Sequence, residues 1–493
     1  MIGYVFHSQL RHTGFMMMSA ARVATLVGDE PLRSPAYRDL ADRLRVLVID
    51  GRLPDGIRLP SERELAAALG VSRTTTTRVY TELRDAGLVA SRQGSGSVIQ
   101  VPYKASAVSS LIVDPESPDD IALTYSASPA PCGLASVFTA AAERLPGVLA
   151  TTGYLPDGLS ELREAIADHH TADGLPTTPD QIIVTAGAMG AINLAAQTFL
   201  SPGARVVAEG VSFPHAHDAL IAAGGRLSPL PLTNDPWDPT ALKDLLGGAA
   251  HRAAYLIPDF HNPTGAVMSD ADRTAWASLL RRHDVLPIVD ETLRHVNLDG
   301  VELPPPFATY DPRAITLGSM SKAYWGGLRI GWARVPQARR TAMLQTRMYI
   351  DLGASAFDQL VATDLVRSGG DIAEARLTEA RQARDHLIAA LSRAIPDVRT
   401  TRPGGGLNLW LTFPKPVTTR LVARASQHGL LLTPGARFFV QNGGERNLRL
   451  PYTQSLDVLT EAVDRLASAY SALDAADAKR PGAPSAATLD LIA

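Results

Sequence analysis

The sequence has 493 residues, of which 45% are hydrophobic, and a formal net charge of -3 at pH 7. A chain of this length is too long for a single domain and can bury two or three sizeable cores. The nearly balanced charge excludes a globally basic nucleic-acid binder, so any such function must be local.

Cysteine content and apolar runs restrict the cellular setting. The single cysteine, Cys132, excludes intramolecular disulfides and fits a reducing cytoplasm, where we expect the protein to reside. No run approaches the roughly 20 apolar residues of a membrane helix, so no membrane association is expected. We expect no metal site. Residues 1–30 are interpreted as an N-terminal extension without a signal-peptide core.

Residues 31–101 are predicted to form a small domain that begins with three helices. Residues 37–49 place apolar side chains on one helix face. A capping box at Ser61 begins the second helix, and Ser72 begins the third over residues 73–86. Helix, short glycine turn and helix is the sequence form of a helix-turn-helix.

Two short strands joined at Gln93 and Gly94 are predicted after these helices, as a hairpin or wing. Residues 31–101 contain eleven arginines and eight acids and therefore carry a local charge of +3. Arg73 and the four threonines that follow it are suited to contact phosphates and base edges from the first turn of a recognition helix. The alternative is an accessory domain whose arginines are merely solvated.

Segments without helical or strand periodicity flank the remaining chain. Residues 102–120 are rich in proline, serine and acid and are predicted to be a linker. Residues 121–473 alternate strand and helix patterns, which predicts a mostly parallel sheet flanked by helices. A smaller α+β domain is expected from about residue 357 onward. Residues 474–493 have the composition of a disordered tail.

A lysine in a loop of small and hydroxyl residues, Lys322, is the centre of the predicted cofactor site. A partly desolvated lysine spends time as a neutral amine, which binding to the aldehyde of pyridoxal phosphate requires. Ser319, Ser321 and Arg329 supply two hydroxyls and a guanidinium for the cofactor phosphate. The alternative is an ordinary surface lysine. The choice between the two depends on whether the rest of the chain supplies further residues that could bind the cofactor.

Five such partners follow predicted strands. Asp290 ends an apolar run and would keep the pyridine nitrogen protonated, and Asn262 would bond the phenolic oxygen. The backbone amides of Ala188 and Met189 would meet the phosphate at a helix N-terminus. Phe213 would lie against the ring. A further residue outside this set, the late arginine Arg449, is a candidate clamp for a substrate carboxylate.

In the order and spacing of these motifs, from about residue 123 to about 470, the chain resembles the fold-type I aminotransferases. The resemblance implies an α/β transferase fold that holds pyridoxal phosphate, with a large and a small domain. It also implies that Tyr154 reaches the phosphate of a neighbouring subunit, and hence a homodimer. Similar enzymes carry a tyrosine where Thr292 and Leu293 stand here, which disfavours efficient turnover.

Residues 34–101 resemble the winged helix of the GntR family of regulators. The resemblance implies a winged helix-turn-helix that binds double-stranded DNA. The contacts it implies are made by Arg63, Ser72, Arg73, Thr74, Thr75, Gln93 and Gly94.

The whole chain resembles the MocR group of transcriptional regulators, in which these two modules are fused. The resemblance implies a cytoplasmic homodimer that holds pyridoxal phosphate on Lys322 and senses the cofactor or an amino compound. The alternatives are a catalytic aminotransferase with an autoregulatory DNA module, and a DNA-binding protein whose large domain binds no cofactor.

Overall fold

The structure is a computed structural model, and it describes seven stretches of the chain: residues 18–28, 31–49, 53, 57–92, 96–99, 119–231 and 236–478. The chain divides into two compact units, Met1–Val113 and Asp114–Ala493. Most of the predicted linker, the predicted wing residues Gln93 and Gly94, and residues 479–493 lie outside the described residues.

The first unit is a small helical domain with a two-stranded hairpin. Its elements are α1 (Ala20–Val27), α2 (Ala36–Ile49), α3 (Glu62–Leu69), α4 (Arg73–Asp85), β1 (Val89–Arg92) and β2 (Gly96–Ile99). The three predicted helices and the predicted hairpin are confirmed. Local capping sets the helix starts, because the Ser61 hydroxyl accepts from the backbone N–H of Glu64, and the Ser72 hydroxyl from that of Thr75.

Helix α1 lies within the residues interpreted as an N-terminal extension. Ser19 caps it, and Val23 is fully buried in a core that it shares with Leu44, Leu65 and Val79. A helix of eight residues is marginal by itself in water. Tertiary packing therefore stabilises this helix, which was not predicted from the local sequence.

The chain that precedes α3 forms hydrogen bonds with strand β2 of the hairpin in the first unit. β1 and β2 pair antiparallel, with Val89 opposite Ile99. The backbone N–H of Leu59 donates to Ser97 at 2.9 Å, and that of Ile99 donates to Ile57 at 2.8 Å. These bonds fix the hairpin to the start of the helix-turn-helix.

After β3 (Ile121–Leu123), the second unit builds a seven-stranded sheet. Its strands are β4 (Ile182–Thr185), β5 (Arg205–Ala208), β6 (Arg226–Pro229), β7 (Ala253–Leu256), β8 (Leu286–Asp290), β9 (Ile315–Ser319) and β10 (Gly331–Arg334). The strand order is β4-β10-β9-β8-β7-β5-β6, and β10 runs antiparallel to both of its neighbours. The predicted mostly parallel sheet is confirmed.

Helices cover both faces of this sheet. They are α5 (Leu134–Leu149), α6 (Ser160–Ala172), α7 (Gly187–Phe199), α8 (Pro214–Ala222), α9 (Pro239–Gly248), α10 (Asp270–Arg282), α11 (Met320–Ala323), α12 (Gln337–Arg347) and α13 (Ala356–Ser368). Helices α7, α8 and α12 share one core with Ile183 and Ile288. Helices α9 and α10 pack with Leu256, whereas α5, α6 and α13 pack with Val184 and Trp332. Adjacent strand residues point to opposite faces, which produces these separate cores.

The small domain packs three helices against two small sheets. Its elements are α14 (Gly370–Ala394), β11 (Arg399–Thr400), β12 (Asn408–Thr412), α15 (Thr418–Ser426), β13 (Leu430–Leu432), β14 (Asn447–Pro451) and α16 (Leu456–Ala478). Strands β11, β12 and β14 form an antiparallel sheet. Strand β13 instead pairs in parallel with β3, so the small domain includes the start of the second unit.

Two expected boundaries differ from the structure. The small domain was expected from about residue 357, but α13 packs with the large domain through Leu360, Val361 and Leu365. Helix α16 continues to Ala478, beyond the expected start of the tail at residue 474. Three of its last five residues are alanine, which has the highest helix propensity. No helix among the described residues is long and apolar enough to cross a membrane.

Candidate functional site

The predicted cofactor residues lie at the ends of parallel strands of the large sheet. Phe213 follows β5, Asn262 follows β7, Asp290 ends β8 and Lys322 follows β9. The glycine turn that opens α7 follows β4. Because these five strands run in the same direction, their carboxyl ends share one edge of the sheet, where open α/β sheets bind ligands.

Lys322 is held by a backbone carbonyl from the start of the second unit. It lies in α11, directly after β9, and its Nζ donates to the carbonyl oxygen of Ser126 at 2.8 Å. Burial, with a smaller contribution from the nearby charge of Arg449 and against the opposing effect of Asp290, lowers the pKa of Lys322 to about 8. The site therefore raises the neutral fraction of this amine above that of an ordinary lysine, in the direction expected from the sequence.

The lowered pKa of Lys322 predicts how fast the protein captures an aldehyde as the pH changes. At pH 7 a lysine with a pKa of about 8 is neutral in roughly a tenth of molecules. Only the neutral amine can attack, so the capture rate should rise about tenfold between pH 7 and a plateau above pH 9. Stopped-flow absorbance after mixing with pyridoxal phosphate measures this, and a rate that still climbs steeply from pH 9 to 10 contradicts it.

Asp290 is buried and receives two hydrogen bonds. The hydroxyl of Tyr255 donates to Oδ2 at 2.8 Å, and the backbone N–H of Thr292 donates to Oδ1 at 3.0 Å. Burial raises the pKa of Asp290, whereas the hydrogen bonds from Thr292 and Tyr255 lower it. Tyr255 was not predicted. Its signal in the sequence is a tyrosine within a buried apolar strand, where a hydroxyl needs a partner.

Two predicted cofactor residues carry buried polar atoms without a partner among the described residues. These atoms are Oδ1 of Asn262 and Oγ of Ser321. A buried polar atom that makes no hydrogen bond costs about 1 to 3 kcal/mol. Both atoms are therefore suited to bond a ligand.

The turn that opens α7 forms an open anion cradle with Arg329. The residue before the helix, Ala186, offers no side-chain cap to the first-turn amides. Arg329 donates through Nη2 to the Ala186 carbonyl at 3.3 Å. A Cβ on Gly187 would lie 2.7 Å from that same Nη2, so glycine permits this approach. Free amides beside a guanidinium suit a phosphate.

Ser319 and Met189 have additional structural partners. The Ser319 hydroxyl accepts from the backbone N–H of Ser321 at 3.2 Å and donates to the Ile330 carbonyl at 3.4 Å. Met189 packs its side chain against the hydrophobic core. The first turn of α7 leaves the backbone amides of Ala188 and Met189 without a side-chain cap, and their contact with a phosphate stays a prediction.

Arg449 lies in β14 and is almost fully buried. Its Nη2 donates to the Thr124 carbonyl, and its guanidinium lies 4.8 Å from the centre of the Phe438 ring. Burial lowers the pKa of Arg449 to about 9. Its Nε is buried without a partner, and no acidic side chain among the described residues forms an ion pair with it. A ligand carboxylate would supply the missing charge.

In the first unit, four of the predicted DNA contacts are exposed. Arg63 lies in the first turn of α3, and Ser72, Arg73 and Thr74 lie at the start of α4. Thr75 is half-buried, and its hydroxyl shares a 2.8 Å hydrogen bond with that of Ser72.

The expectation that all four threonines face a nucleic acid is wrong for the third. Thr76 is fully buried, and its hydroxyl donates to the carbonyls of Glu62 and Arg73, each at 2.9 Å. The hydroxyl of Thr77 donates to the Glu62 carboxylate at 2.6 Å. Helical periodicity turns the third threonine of the run toward α3.

Two family models match the chain. Residues 135–466 match aminotransferase class I and II, and residues 36–99 match the bacterial regulatory proteins of the gntR family. The first match covers more than half of the chain. The chain belongs to the aminotransferase class I and II family.

Relatives extend this assignment to both modules. The uncharacterized HTH-type transcriptional regulator YisV of Bacillus subtilis is 29% identical over 85% of this chain and 92% of its own length. The probable rhizopine catabolism regulatory protein MocR of Rhizobium meliloti is 26% identical over 92% of this chain and 97% of its own. The chain therefore has a MocR-like architecture, in which a GntR domain precedes an aminotransferase domain.

The aminotransferase domain also matches solved structures. LysN, an alpha-aminoadipate aminotransferase from Thermus thermophilus complexed with N-(5'-phosphopyridoxyl)-L-leucine, superposes with a TM-score of 0.65 at 27% identity. The match covers 72% of this chain and 93% of that chain. The fold predicted from the sequence is confirmed, and it implies pyridoxal phosphate as the cofactor.

The residues of the MocR-like chain fit this cofactor. The partnerless atoms of Asn262 and Ser321 and the uncapped start of α7 provide polar contacts for the ring and the phosphate. When bound, the cofactor supplies an electron-withdrawing pyridine ring. Lys322 would hold its aldehyde carbon, and Asp290 would hold a proton on the ring nitrogen.

Two predicted aromatic contacts differ in exposure. Phe213, at the start of α8, is half-buried, and its ring lies edge-on to His215 with the centroids 5.4 Å apart. Tyr154 is 67% exposed. An aromatic side chain that exposed is available to a second protomer.

Proposed function

We propose that this MocR-like chain is a transcriptional regulator that binds duplex DNA through α4 and the hairpin. In this proposal the aminotransferase domain holds pyridoxal phosphate on Lys322 and responds to the cofactor itself or to an amino compound. The exposed basic start of α4 supports the DNA contact. The support for sensing comes from the aminotransferase domain.

The observation that carries the proposal is that one short segment, residues 124–126, provides a backbone carbonyl to each of the two cations of the site. The carbonyl of Thr124 accepts from Arg449, and the carbonyl of Ser126 accepts from Lys322 at 2.8 Å. A carboxylate ligand on Arg449 and a cofactor aldehyde on Lys322 compete directly with these two carbonyls. Binding of both therefore releases residues 124–126 from the site.

The released segment is attached to the DNA-binding unit through the chain. Residues 124–126 follow β3, and β3 follows residues 102–120, the predicted linker to the GntR domain. A ligand that favours the released arrangement shifts the population toward it. Couplings of this kind are typically about 1 to 3 kcal/mol, or roughly 5 to 150-fold in affinity for DNA.

We also propose that the regulator is a homodimer that reads two half-sites. Leu149, Tyr154, Met348 and Tyr349 are each more than half exposed. These side chains belong to two segments, around residues 149–155 and 348–353. The segments lie close together at Gly353, where an added Cβ would lie only 2.6 Å from the carbonyl oxygen of Leu155. Neighbouring exposed apolar side chains mark an interaction surface, and a second copy would bring Tyr154 toward a partner's site.

The test uses the full chain and the intergenic DNA beside its own gene. Fluorescence anisotropy should show tighter binding to this DNA than to random duplex, and a roughly 5 to 150-fold change in affinity when pyridoxal phosphate with an amino acid is added. Equal affinity for the random duplex would refute the DNA-binding role. An unchanged affinity with saturating ligands would refute the sensing role.

A second candidate function is a catalytic aminotransferase, favoured by the intact arrangement of Lys322, Asp290 and Arg449. The bond from Tyr255 secures Asp290 even though Thr292 and Leu293 stand where similar enzymes carry a tyrosine. Steady conversion of an amino acid and a keto acid at roughly 1 to 1000 per second would establish the enzyme. A single turnover that stops when the bound cofactor is consumed would favour the sensor.

A further inference from the structure

A buried carboxylate outside the predicted site, Glu209, receives four hydrogen bonds. It follows β5 and has no solvent exposure. Its Oε1 accepts from the indole N–H of Trp237 at 2.7 Å and from the backbone N–H of Ile257 at 2.9 Å. Its Oε2 accepts from the hydroxyl of Ser212 at 2.7 Å and is 3.2 Å from Nε2 of His261.

The donors to Oε2 stand directly beside two predicted cofactor contacts. Ser212 precedes Phe213, the predicted ring-stacking residue, and His261 precedes Asn262, the predicted partner of the phenolic oxygen. These two loops are separated by about fifty residues in sequence, and Glu209 joins them through one carboxylate oxygen. Movement of this oxygen would shift both contacts together.

Each loop is also anchored on its other side. Nδ1 of His261 is 2.8 Å from the Thr264 hydroxyl. The rings of His261 and Trp237 pack edge to face, with their centroids 5.6 Å apart. The backbone N–H of Ser212 donates to the Phe438 carbonyl at 2.9 Å, and the ring of Phe438 lies against Arg449. A series of contacts therefore joins Glu209 to the candidate carboxylate clamp, through hydrogen bonds as far as Phe438 and a ring contact from Phe438 to Arg449.

The charge on Glu209 makes this link strong. Burial by itself raises the pKa of Glu209, but the interaction with His261 and the hydrogen bonds from Ile257 and Ser212 outweigh burial and lower it. The group is thus an ionised acceptor, and charge-assisted hydrogen bonds are about twice as strong as neutral ones.

The geometry points to Glu209 as a positioning residue that aligns Asn262 and Phe213 against the cofactor. This inference rests on the proposed function, in that it requires pyridoxal phosphate in the site. Glu209 itself touches no cofactor atom. It acts by fixing the loops that do, and it therefore controls the electronic surroundings of the ring as well as the affinity for it.

The test compares variants that change this link selectively. Glu209→Gln keeps the side-chain shape but leaves one oxygen, so it cannot accept all four hydrogen bonds. We expect the variant to bind pyridoxal phosphate about tenfold more weakly, as the loss of about 1.4 kcal/mol of aligned contacts predicts. We also expect the visible absorbance maximum of the bound cofactor, and the pH at which this band titrates, to shift.

Asp311→Asn is the matched control. Asp311 is another carboxylate without solvent exposure, and it bonds Arg313 outside the site. Its substitution should lower the melting temperature and leave the cofactor absorbance maximum at the wild-type position. A shift in Glu209→Gln together with no shift in the control supports positioning, because loss of stability alone would affect both variants.

A second pair of variants covers the case in which Glu209→Gln does not fold. His261→Gln retains a side-chain donor toward Glu209, whereas His261→Leu removes it. The band should shift in His261→Leu, and His261→Gln should return it toward the wild-type maximum. Unshifted bands in Glu209→Gln, or equal bands in the two His261 variants, would overturn the inference. Wild-type protein that binds no cofactor would instead refute the proposed function.

Discussion

Lys322→Ala is expected to abolish covalent retention of pyridoxal phosphate. The amine of Lys322 lies near Asp290 and Arg449, and burial brings its pKa to about 8. Alanine leaves the phosphate cradle intact but removes the amine that bonds the aldehyde carbon. We expect cofactor retained after gel filtration to fall at least about 100-fold, equivalent to about 2.7 kcal/mol.

Lys243→Ala is the control for this substitution, because Lys243 is an exposed lysine of α9. Borohydride reduction followed by peptide mass spectrometry should place the cofactor on Lys322 in wild type and in Lys243→Ala. Thermal unfolding gives an independent measurement, since a ligand at 100 times its dissociation constant stabilises the native state by about 2.7 kcal/mol. An adduct of undiminished yield in Lys322→Ala would contradict the assignment.

Arg73→Ala is expected to weaken DNA binding by about 1 to 3 kcal/mol for each subunit, or roughly 5 to 150-fold. Arg73 is the first residue of α4 and is exposed. The anisotropy titration should be repeated over a range of salt concentrations. If Arg73 contacts a phosphate, the slope of the logarithm of the binding constant against the logarithm of salt concentration should fall in magnitude by about one. If Arg73 contacts a base, the preference for one DNA sequence over others should be relaxed instead.

Arg84→Ala is the matched control on the same helix. Arg84 lies in the last turn of α4, eleven positions after Arg73, which corresponds to roughly 16 Å along the helix axis. It carries the same charge and should leave DNA affinity within about twofold of wild type, since surface substitutions usually change little. Equal losses in the two variants would indicate a general charge effect and not a recognition helix.

The sequence was sufficient to predict those features of the structure that depend on residues close together along the chain. The capping serines Ser61 and Ser72 begin α3 and α4 as predicted, because each accepts from an amide three residues later. The strand ends that carry Asp290 and Lys322 were predicted from apolar runs and from the rule that parallel strands bind ligands at their carboxyl ends. The order of these motifs also identified the family.

Only the tertiary structure decided which distant groups meet. Tyr255 bonds Asp290 across 35 residues, His261 lies against Glu209 across 52, and Arg449 bonds the Thr124 carbonyl across 325. The sheet register and the pairing of β13 with β3 bring these residues together. No local periodicity or capping motif in the sequence indicates such long-range pairs. Sequence therefore determined the modules and predicted the cofactor lysine and the recognition helix, while packing decided what holds these residues in place.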